Sequence, residues 1–239
     1  MRVGLVGNGK MGRMIDALCA QTEDWQVAGF VGPGAFDALD EMGDLDVAID
    51  FSYPGNLSML LDTAVRRRLP LVIGTTGLTA QQGEAIRAAS AQAPIVWANN
   101  FSTGVTVLRR LARQAAEALG GEFDIEIVET HHNQKEDAPS GTAKMLLRAV
   151  DPAGELPVRY GREGRPGPRG REIGMHSLRG GTVAGEHSVF FFGQLEELEL
   201  RHRADSREIF ARGALQAAAF AAAAKPGLYD MEDVLFGGR

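Results

Sequence analysis

Short apolar runs and amphipathic stretches alternate along the first hundred residues of the chain. The apolar runs are rich in β-branched residues, which is typical of strands buried in a parallel sheet. They predict strands at Arg2–Val6, Val27–Val31, Asp46–Phe51, Leu71–Ile73 and Ile95–Ala98. The stretches between them predict helices near Met11–Gln21, Asn56–Arg68 and Ala80–Ala93. Strands and helices in strict alternation form right-handed βαβ units, so this part is predicted to be an α/β, Rossmann-type doubly wound parallel sheet.

The pattern changes after about residue 103. The predicted strand Phe123–Glu129 alternates apolar and polar residues, which indicates a sheet with one buried face. The segment Tyr160–Arg171 is rich in glycine and proline and is predicted to be a loop. The remaining predicted elements are helices at Val105–Leu119, Ser140–Val150 and Ser206–Ala224, and strands at Ile173–Arg179, Thr182–Phe192 and Gln194–Arg203. We therefore expect a second domain of α+β class, without internal repeats.

Composition narrows the class of protein. Of the 239 residues 44% are hydrophobic, which is enough for a folded core, and a single cysteine excludes a disulfide framework. The formal charge of −6 argues against nucleic acid as the main partner. No apolar run is long enough to cross a membrane, and the apolar stretch at the N-terminus is too short for a signal peptide. We expect a cytoplasmic protein with no membrane partner.

The loop after the first predicted strand has the pattern G-x-G-x-x-G and runs into the first predicted helix. In that position the glycines permit a tight turn and let the backbone approach a pyrophosphate, which lies on the amides of the helix N-terminus. The candidate cofactor-binding residues are Gly7, Asn8, Gly9, Lys10, Met11 and Gly12. The second strand and the residues after it, Val27–Gly34, contain neither an acid nor an arginine, so the choice between NADH and NADPH stays open.

Two further strand ends carry small or amide-bearing residues. In a doubly wound sheet the ligand lies at the carboxyl ends of the strands, where such residues can contact a nicotinamide or its ribose. The candidates are Gly74, Thr75 and Thr76 after the fourth strand, and Ala98, Asn99, Asn100 and Phe101 after the fifth. Ordinary turn formation is the alternative for either segment taken alone.

The segment Glu129–Ala143 is the densest cluster of reactive side chains and runs from a strand end to a helix start. Its adjacent His131 and His132 are followed closely by Lys135, and these residue types suit proton delivery to a substrate. Ser140, Gly141 and Thr142 open the following helix, so hydroxyl and backbone N–H groups there can bind a carboxylate or a phosphate. No third ligand accompanies the two histidines at a recognisable spacing, so we assign no metal.

Two other features favour a plain structural interpretation. Five arginines lie in or beside the loop at 159–171, and its glycines and prolines indicate a mobile, solvated segment more than an anion site. Cys19 lies on the apolar face of the first predicted helix and is expected in the core.

The segment Glu129–Ala143 resembles the signature E-x-H-H-x-x-K-x-D-A-P-S-G-T-A of the 4-hydroxy-tetrahydrodipicolinate reductase family, also called dihydrodipicolinate reductase. The resemblance extends over essentially the whole chain. It includes the glycine loop and residues 49–52, 74–77, 100–105, 161–164, 183–187 and 227–235. The chain departs from many members by one residue fewer in the glycine loop and by the missing acid after the second strand.

The resemblance implies a reductase of lysine and diaminopimelate biosynthesis that uses NADH or NADPH and a small cyclic dicarboxylate. Residues 1–102, completed by 207–239, would bind the dinucleotide; residues 103–206 would form a mixed open sheet, bind substrate and build a homotetramer. By matching positions, His131 resembles the family's proton donor/acceptor and Lys135 its proton donor. The substrate-binding positions are His132, Gly141 and Thr142, and the cofactor contacts are Gly74 to Thr76 and Ala98 to Phe101.

Two other classes of protein remain as alternatives. The first is another two-domain dehydrogenase of amino-acid-derived substrates, although Cys19 is badly placed for the nucleophile that a semialdehyde dehydrogenase needs. The second is a non-catalytic nucleotide-sensing module, which would not need His131, His132 and Lys135 together.

Overall fold

The computed structural model describes residues 1–32, 35 and 38–237. The chain divides into two compact units, one comprising Met1–Thr103 and Glu208–Arg239, the other Gly104–Arg207. These bounds differ by one residue from those expected from the sequence.

The elements follow one another in chain order. The first part contains β1 (Arg2–Val6), α1 (Lys10–Cys19), β2 (Gln26–Val31), α2 (Ala38–Glu41), β3 (Val47–Asp50), α3 (Leu57–Arg67), β4 (Leu71–Ile73), α4 (Ala80–Ser90) and β5 (Pro94–Trp97). The middle part contains α5 (Thr103–Leu119), β6 (Asp124–His131), α6 (Gly141–Val150), β7 (Val158–Tyr160), β8 (Ile173–Arg179), β9 (Gly185–Phe192) and β10 (Glu197–Ala204). The chain ends with α7 (Glu208–Ala223), β11 (Gly227–Tyr229) and α8 (Met231–Phe236).

The first unit is built on a six-stranded, all-parallel sheet in the order β11-β5-β4-β3-β1-β2. One apolar cluster joins a face of this sheet to α1 and α7, and a second joins the other face to α3 and α4. Alanines of α7 that face the sheet have no solvent exposure, since a small side chain lets the helix approach closely. The predicted doubly wound fold is confirmed, and Cys19 lies in its core.

The order of the strands reverses between β1 and β3. From β1 the chain passes outward to β2 and then returns to place β3, β4 and β5 on the other side. In such sheets the ligand lies outside the carboxyl ends of the strands at this reversal. The loops that follow β1, β3, β4 and β5 therefore meet at one edge.

The second unit contains a mixed five-stranded sheet in the order β10-β9-β6-β8-β7. The central strand β6 is parallel to β8 and antiparallel to β9. One face of the sheet packs on α5 and α6, with Ile125 and Ile127 of β6 buried against them. The alternation in β6 thus gives the predicted half-buried sheet.

The structure corrects several predictions. Tyr160 belongs to β7, which the sequence analysis missed, and α2, β11 and α8 were also not predicted. The arginine loop is exposed over residues 162–168, as expected, but Arg162 also forms ion pairs that were not expected, with its guanidinium 2.8 Å from Glu126 and 2.9 Å from Glu172. Arg169 departs from the expectation of a solvated loop, because it is half-buried and lies 2.7 Å from Asp124. Carboxylates of β6 and the residue before β8 thus anchor these side chains.

Among the described residues, no helix is both long and apolar enough to cross a membrane.

Candidate active site

The glycine loop after β1 depends on two of its glycines for its shape. Gly7 has a φ of +100°, and a Cβ at this residue would lie 2.6 Å from the carbonyl oxygen of Phe51. A Cβ at Gly12 would lie 2.1 Å from the carbonyl oxygen of Gly7. Both glycines are therefore required by the fold of the loop itself, because any side chain would collide with backbone.

The third glycine of the loop differs from the other two. Gly9 is the N-cap residue of α1, and no described heavy atom lies within 4 Å of a Cβ built there. Asn8, Gly9 and Lys10 are exposed, and Asn8 accepts a hydrogen bond from Arg13 at 3.4 Å. This cradle in front of the first amides of α1 fits a pyrophosphate, because helix N-termini attract anions.

The loops after β3 and β4 are tied together by a buried carboxyl group. Asp50 is 2% exposed and accepts hydrogen bonds from the backbone N–H and hydroxyl of Ser52. Burial raises the pKa of Asp50 above its ordinary value, although hydrogen bonds from Ser52 and Thr75 oppose the shift. Thr75 also accepts a bond from the Ser52 backbone at 2.9 Å. The network fixes Thr75 at the edge of the sheet, with Thr76 exposed beside it.

Packed aromatic rings lie beneath the same edge of the parallel sheet, next to the loops that follow β3, β4 and β5. A Cβ at Gly74 would lie 2.3 Å from the ring of Phe51, which packs edge-to-face on Phe101 at 5.5 Å between centroids. Phe101 is itself 2% exposed, so its side chain belongs to the core, whereas Ala98 and Asn100 are half-buried and Asn99 is exposed. Of the residues after β2, Pro33 and Gly34 lie outside the described residues.

In the second unit, Glu129 is the centre of the site at the end of β6. Its side chain is fully buried and lies on the same face of the strand as Ile125 and Ile127. His131 Nδ1 lies 2.5 Å from Oε2 of Glu129. Arg179, the last residue of β8, donates to both carboxylate oxygens at 2.8 and 2.9 Å. The backbone N–H of Ser140 donates to Oε1 at 3.1 Å.

These contacts decide the charge of Glu129. Burial alone would raise its pKa, but the hydrogen bonds from His131, Arg179, Ser177 and Ser140 outweigh burial and hold the pKa far below its ordinary value. Glu129 is therefore ionised at all physiological pH values and joins β6, β8 and the start of α6.

A third histidine, His187 of β9, lies beside His131. The two rings pack edge-to-face with 5.1 Å between centroids, and His187 is 3% exposed. Burial, followed by the nearby charge of His131, lowers the pKa of His187 to about 3. His187 is thus neutral near pH 7, and its Nε2 lies 3.0 Å from the hydroxyl of Ser140.

Lys135 and His132 lie in the loop between β6 and α6. The Nζ of Lys135 lies 2.6 Å from a carboxylate oxygen of Asp137, and the lysine side chain is 21% exposed. Lys135 contributes to the low pKa of His187, so its charge acts on the same histidine as that of His131. His132 is half-buried next to His131.

The start of α6 forms the other end of this loop. Ser140 is the N-cap residue, and its hydroxyl accepts a hydrogen bond from the backbone N–H of Ala143 at 3.1 Å. Gly141 is exposed, with no described heavy atom within 4 Å of a Cβ built there. Thr142 follows it in the first turn. The first turn of a helix directs its N–H groups outward, so an anionic group can be bound at Gly141.

Comparison with known proteins finds the same family in both units of the chain. The family model for the N-terminus of dihydrodipicolinate reductase matches residues 1–101, and that for its C-terminus matches residues 104–235. The chain belongs to the dihydrodipicolinate reductase family. The predicted family and its class of enzyme, an oxidoreductase, are therefore confirmed, which removes both alternatives considered from the sequence.

Individual members of the dihydrodipicolinate reductase family are similar over almost their full length. A 4-hydroxy-tetrahydrodipicolinate reductase of Akkermansia muciniphila is 48% identical over 233 residues, which cover 95% of this chain and 94% of the relative. One from Rubrobacter xylanophilus is 46% identical, covering 95% and 96%. Among solved structures, a dipicolinate-bound dihydrodipicolinate reductase from Paenisporosarcina sp. TG-14 superposes with a TM-score of 0.79 at 23% identity, covering 98% and 99%. This last likeness shows the shared fold.

Sequence reasoning missed two residues of this reductase's site. Arg179 reaches Glu129 because β8 is parallel to β6 and ends beside it, and strand order cannot be deduced from the separate strand patterns. His187 lies within the stretch 183–187 that carries part of the family resemblance, but no role was drawn from it. A usable signal existed for Glu129, since the alternation of β6 places it on the buried face.

Proposed function

We propose that this chain reduces (2S,4S)-4-hydroxy-2,3,4,5-tetrahydrodipicolinate to tetrahydrodipicolinate in lysine and diaminopimelate biosynthesis. The observation that carries the proposal is the cluster at the end of β6 in a chain of the dihydrodipicolinate reductase family: His131 ends the strand, Lys135 lies in the loop that follows, and α6 begins where that loop ends. Proton donors and an anion-binding helix start are what reduction of a cyclic dicarboxylate requires.

The first unit holds the cofactor, NADH or NADPH. The glycine loop, Gly7 to Gly12, would take the pyrophosphate on the first amides of α1, where Gly9 leaves room. Gly74 to Thr76 and Ala98 to Phe101 would hold the nicotinamide and its ribose. When bound, the cofactor supplies a hydride from C4 of its nicotinamide.

The substrate carboxylates need donors of hydrogen bonds. Ser140, Gly141 and Thr142 at the start of α6 would bind one carboxylate, since an N-terminal turn offers both N–H groups and a favourable dipole. His132 and Lys135 would contact the other.

A proton must reach the substrate as well as a hydride. His131 and Lys135 are the donors that we assign to this step. With Nδ1 of His131 bonded to Glu129, its Nε2 is the atom that exchanges the proton. We assign no metal to the reaction; within the described part of the chain no group of three or more His, Cys, Asp or Glu side chains is arranged to hold one.

We further propose that the protein is a cytoplasmic homotetramer built through the second unit. Tyr160 and Leu178 of that unit are exposed by 67% and 54%, and Leu195 by 99%. Such an assembly would cover apolar side chains that a single chain leaves exposed. A tetramer would have a mass of about 102 kDa, four times the 25.6 kDa of one chain.

The test is an assay coupled to the preceding synthase, which is supplied with pyruvate and aspartate semialdehyde. Oxidation of NADH and of NADPH is followed in parallel, with and without this protein. We expect oxidation that depends on both the synthase and this chain, and the ratio of kcat/KM values gives the cofactor preference. Absence of oxidation with either cofactor, from folded protein that binds nucleotide, would contradict the proposal.

A further inference from the structure

Glu129 bonds to the proposed proton donor, but it is itself buried away from solvent. Its position on β6 places it two residues before His131, so both side chains leave the same face of the strand. The Nδ1–Oε2 distance of 2.5 Å is that of a short hydrogen bond between an imidazole N–H and a carboxylate.

An ionised carboxylate can only accept hydrogen bonds, so the proton between the two groups belongs to Nδ1 of His131. Arg179 donates to both oxygens of Glu129 through two N–H groups, a bidentate pair that keeps the carboxylate charged. Glu129 is the charged group that bonds to His131, Arg179 bonds to Glu129 in turn, and the neutral ring of His187 packs edge-to-face on His131.

We propose that Glu129 is a positioning residue that holds His131 in the Nδ1–H form, and that Arg179 holds Glu129 in place. This assignment rests on the proposed function of His131. In the proton transfer the Nε2–H bond of the imidazolium breaks, its electron pair stays on Nε2, and the proton goes to the substrate. The neutral ring that remains is already the Nδ1–H tautomer that Glu129 binds.

The substitution Glu129→Gln tests this inference because the amide keeps the shape of the side chain. One carbonyl oxygen remains to accept from Ser140 and Arg179, while the NH2 group would face Nδ1 of His131 and donate to it. The ring would then carry its proton on Nε2, and proton transfer from the neutral ring would leave an unfavourable imidazolate. We expect kcat to fall by roughly 10²- to 10⁴-fold, as when an amide replaces the carboxylate of a catalytic triad.

The binding constants of Glu129→Gln and the activity of a second variant distinguish a positioning role for Glu129 from a general structural role. KM for the substrate and the Kd for NADPH should stay within about threefold of the wild type, because the start of α6 and the first unit are unaltered. Glu129→Asp, which keeps the charge, should recover a substantial part of kcat. A kcat for folded Glu129→Gln within about threefold of the wild type would overturn the inference, as would loss of substrate affinity alone.

Glu126→Gln is the matched control. Glu126 lies on the opposite face of the same strand and also bonds to a histidine and to arginines, namely His176, Arg162 and Arg169. It is not part of the proposed site. Its substitution should leave kcat within about threefold of the wild type.

A measurement on the wild type covers the case in which Glu129→Gln fails to fold. Nitrogen NMR of protein with ¹⁵N-labelled histidine, at a pH where the imidazoles are neutral, distinguishes protonated from unprotonated ring nitrogens. The chain has five histidines, and His131→Asn assigns the signal of His131. We expect the proton on Nδ1; a proton on Nε2 would overturn the inference even if the coupled assay shows full activity. Failure of the wild type in that assay would instead contradict the proposed function.

Discussion

Lys135 is the residue at which the proposed chemistry can be tested with least disturbance of the fold. Its ammonium group bonds to Asp137, a side chain that is 60% exposed, so its removal leaves no buried charge without a partner. We expect Lys135→Ala to lower kcat by on the order of 10²-fold, the usual contribution of a general acid. The Kd for NADPH, measured by cofactor fluorescence, should stay within about twofold.

A suitable control for this change is Lys225→Ala. Lys225 is an exposed lysine that precedes β11, at the edge of the sheet opposite the carboxyl ends. Lys225→Ala should leave both kcat and the Kd for NADPH unaltered. Equal losses of turnover and of cofactor binding in Lys135→Ala would show that Lys135 is structural.

At the residue scale, the sequence predicted correctly those features that depend on residue type and on neighbours along the chain. Ser140 caps α6 as its residue type suggests, and Cys19 is buried, with its pKa raised to about 11 mainly by that burial. The partners of Glu129 could not be predicted, because Arg179 and His187 come from strands that join β6 only in the folded sheet. The role of a buried charge depends on such partners.

At the scale of elements, a substitution in the glycine loop before α1 is predicted to affect stability and cofactor binding differently. Gly9→Ala should change the free energy of unfolding by about 1 kcal/mol or less, since the change at an N-cap meets no protein atom. The new methyl group would lie where the pyrophosphate approaches, so the Kd for NADPH should rise at least about tenfold. Isothermal titration and urea unfolding measure the two quantities.

Gly12→Ala is the comparison. Its Cβ would lie 2.1 Å from a backbone oxygen, so we expect a marked loss of stability, about 2 kcal/mol or more, together with weaker cofactor binding. If Gly9→Ala binds NADPH as the wild type does, the cofactor does not approach this part of the loop.

A second prediction concerns β6 and the loop at 161–172. Burial opposes the ionisation of Glu126, but hydrogen bonds from Arg162, His176 and Arg169 lower its pKa from 4.5 to about 2. Because the folded-state pKa is below the unfolded one, the carboxylate stabilises the fold above pH 4.5 and loses this effect as the pH falls towards 2. Glu126→Gln should therefore lower the free energy of unfolding by about 2 kcal/mol at pH 7.

Urea unfolding at pH 7, 5 and 4 gives the comparison. The difference between wild type and Glu126→Gln should decrease at the lowest pH, while the exposed Glu155→Gln should show little difference throughout. Equal stabilities at pH 7 would mean that the ion pairs of this loop contribute nothing.

The regular elements were predicted well where periodicity is strong and poorly where elements are short. β4 and β8 have the bounds expected from their apolar runs. The strands β7 and β11 have three residues each, too few for a period to emerge, and they form because a neighbouring strand offers hydrogen bonds. The ion pairs of the arginine loop were missed for a similar reason, since its composition does not reveal the carboxylates of β6.

At the scale of the whole molecule, the functional conclusion depends more on the family signature than on the fold. Doubly wound sheets with a second domain serve many reactions, so this architecture does not by itself identify the reaction. The reductase assignment depends on the family match over both units and on the residues at the end of β6. Cofactor preference was left open because Val27–Gly34 contains neither an acid nor an arginine, the side chains that usually decide it.

The central claim is that a hydride from the nicotinamide and a proton from the protein enter one cyclic substrate. The most direct test supplies the synthase-coupled reaction with cofactor deuterated at C4, in the 4R and the 4S form separately, and measures the mass of the product. We predict that one of the two forms transfers a single deuterium to tetrahydrodipicolinate and that the other transfers none. Oxidation of the cofactor with no deuterium in the product from either form would contradict the account.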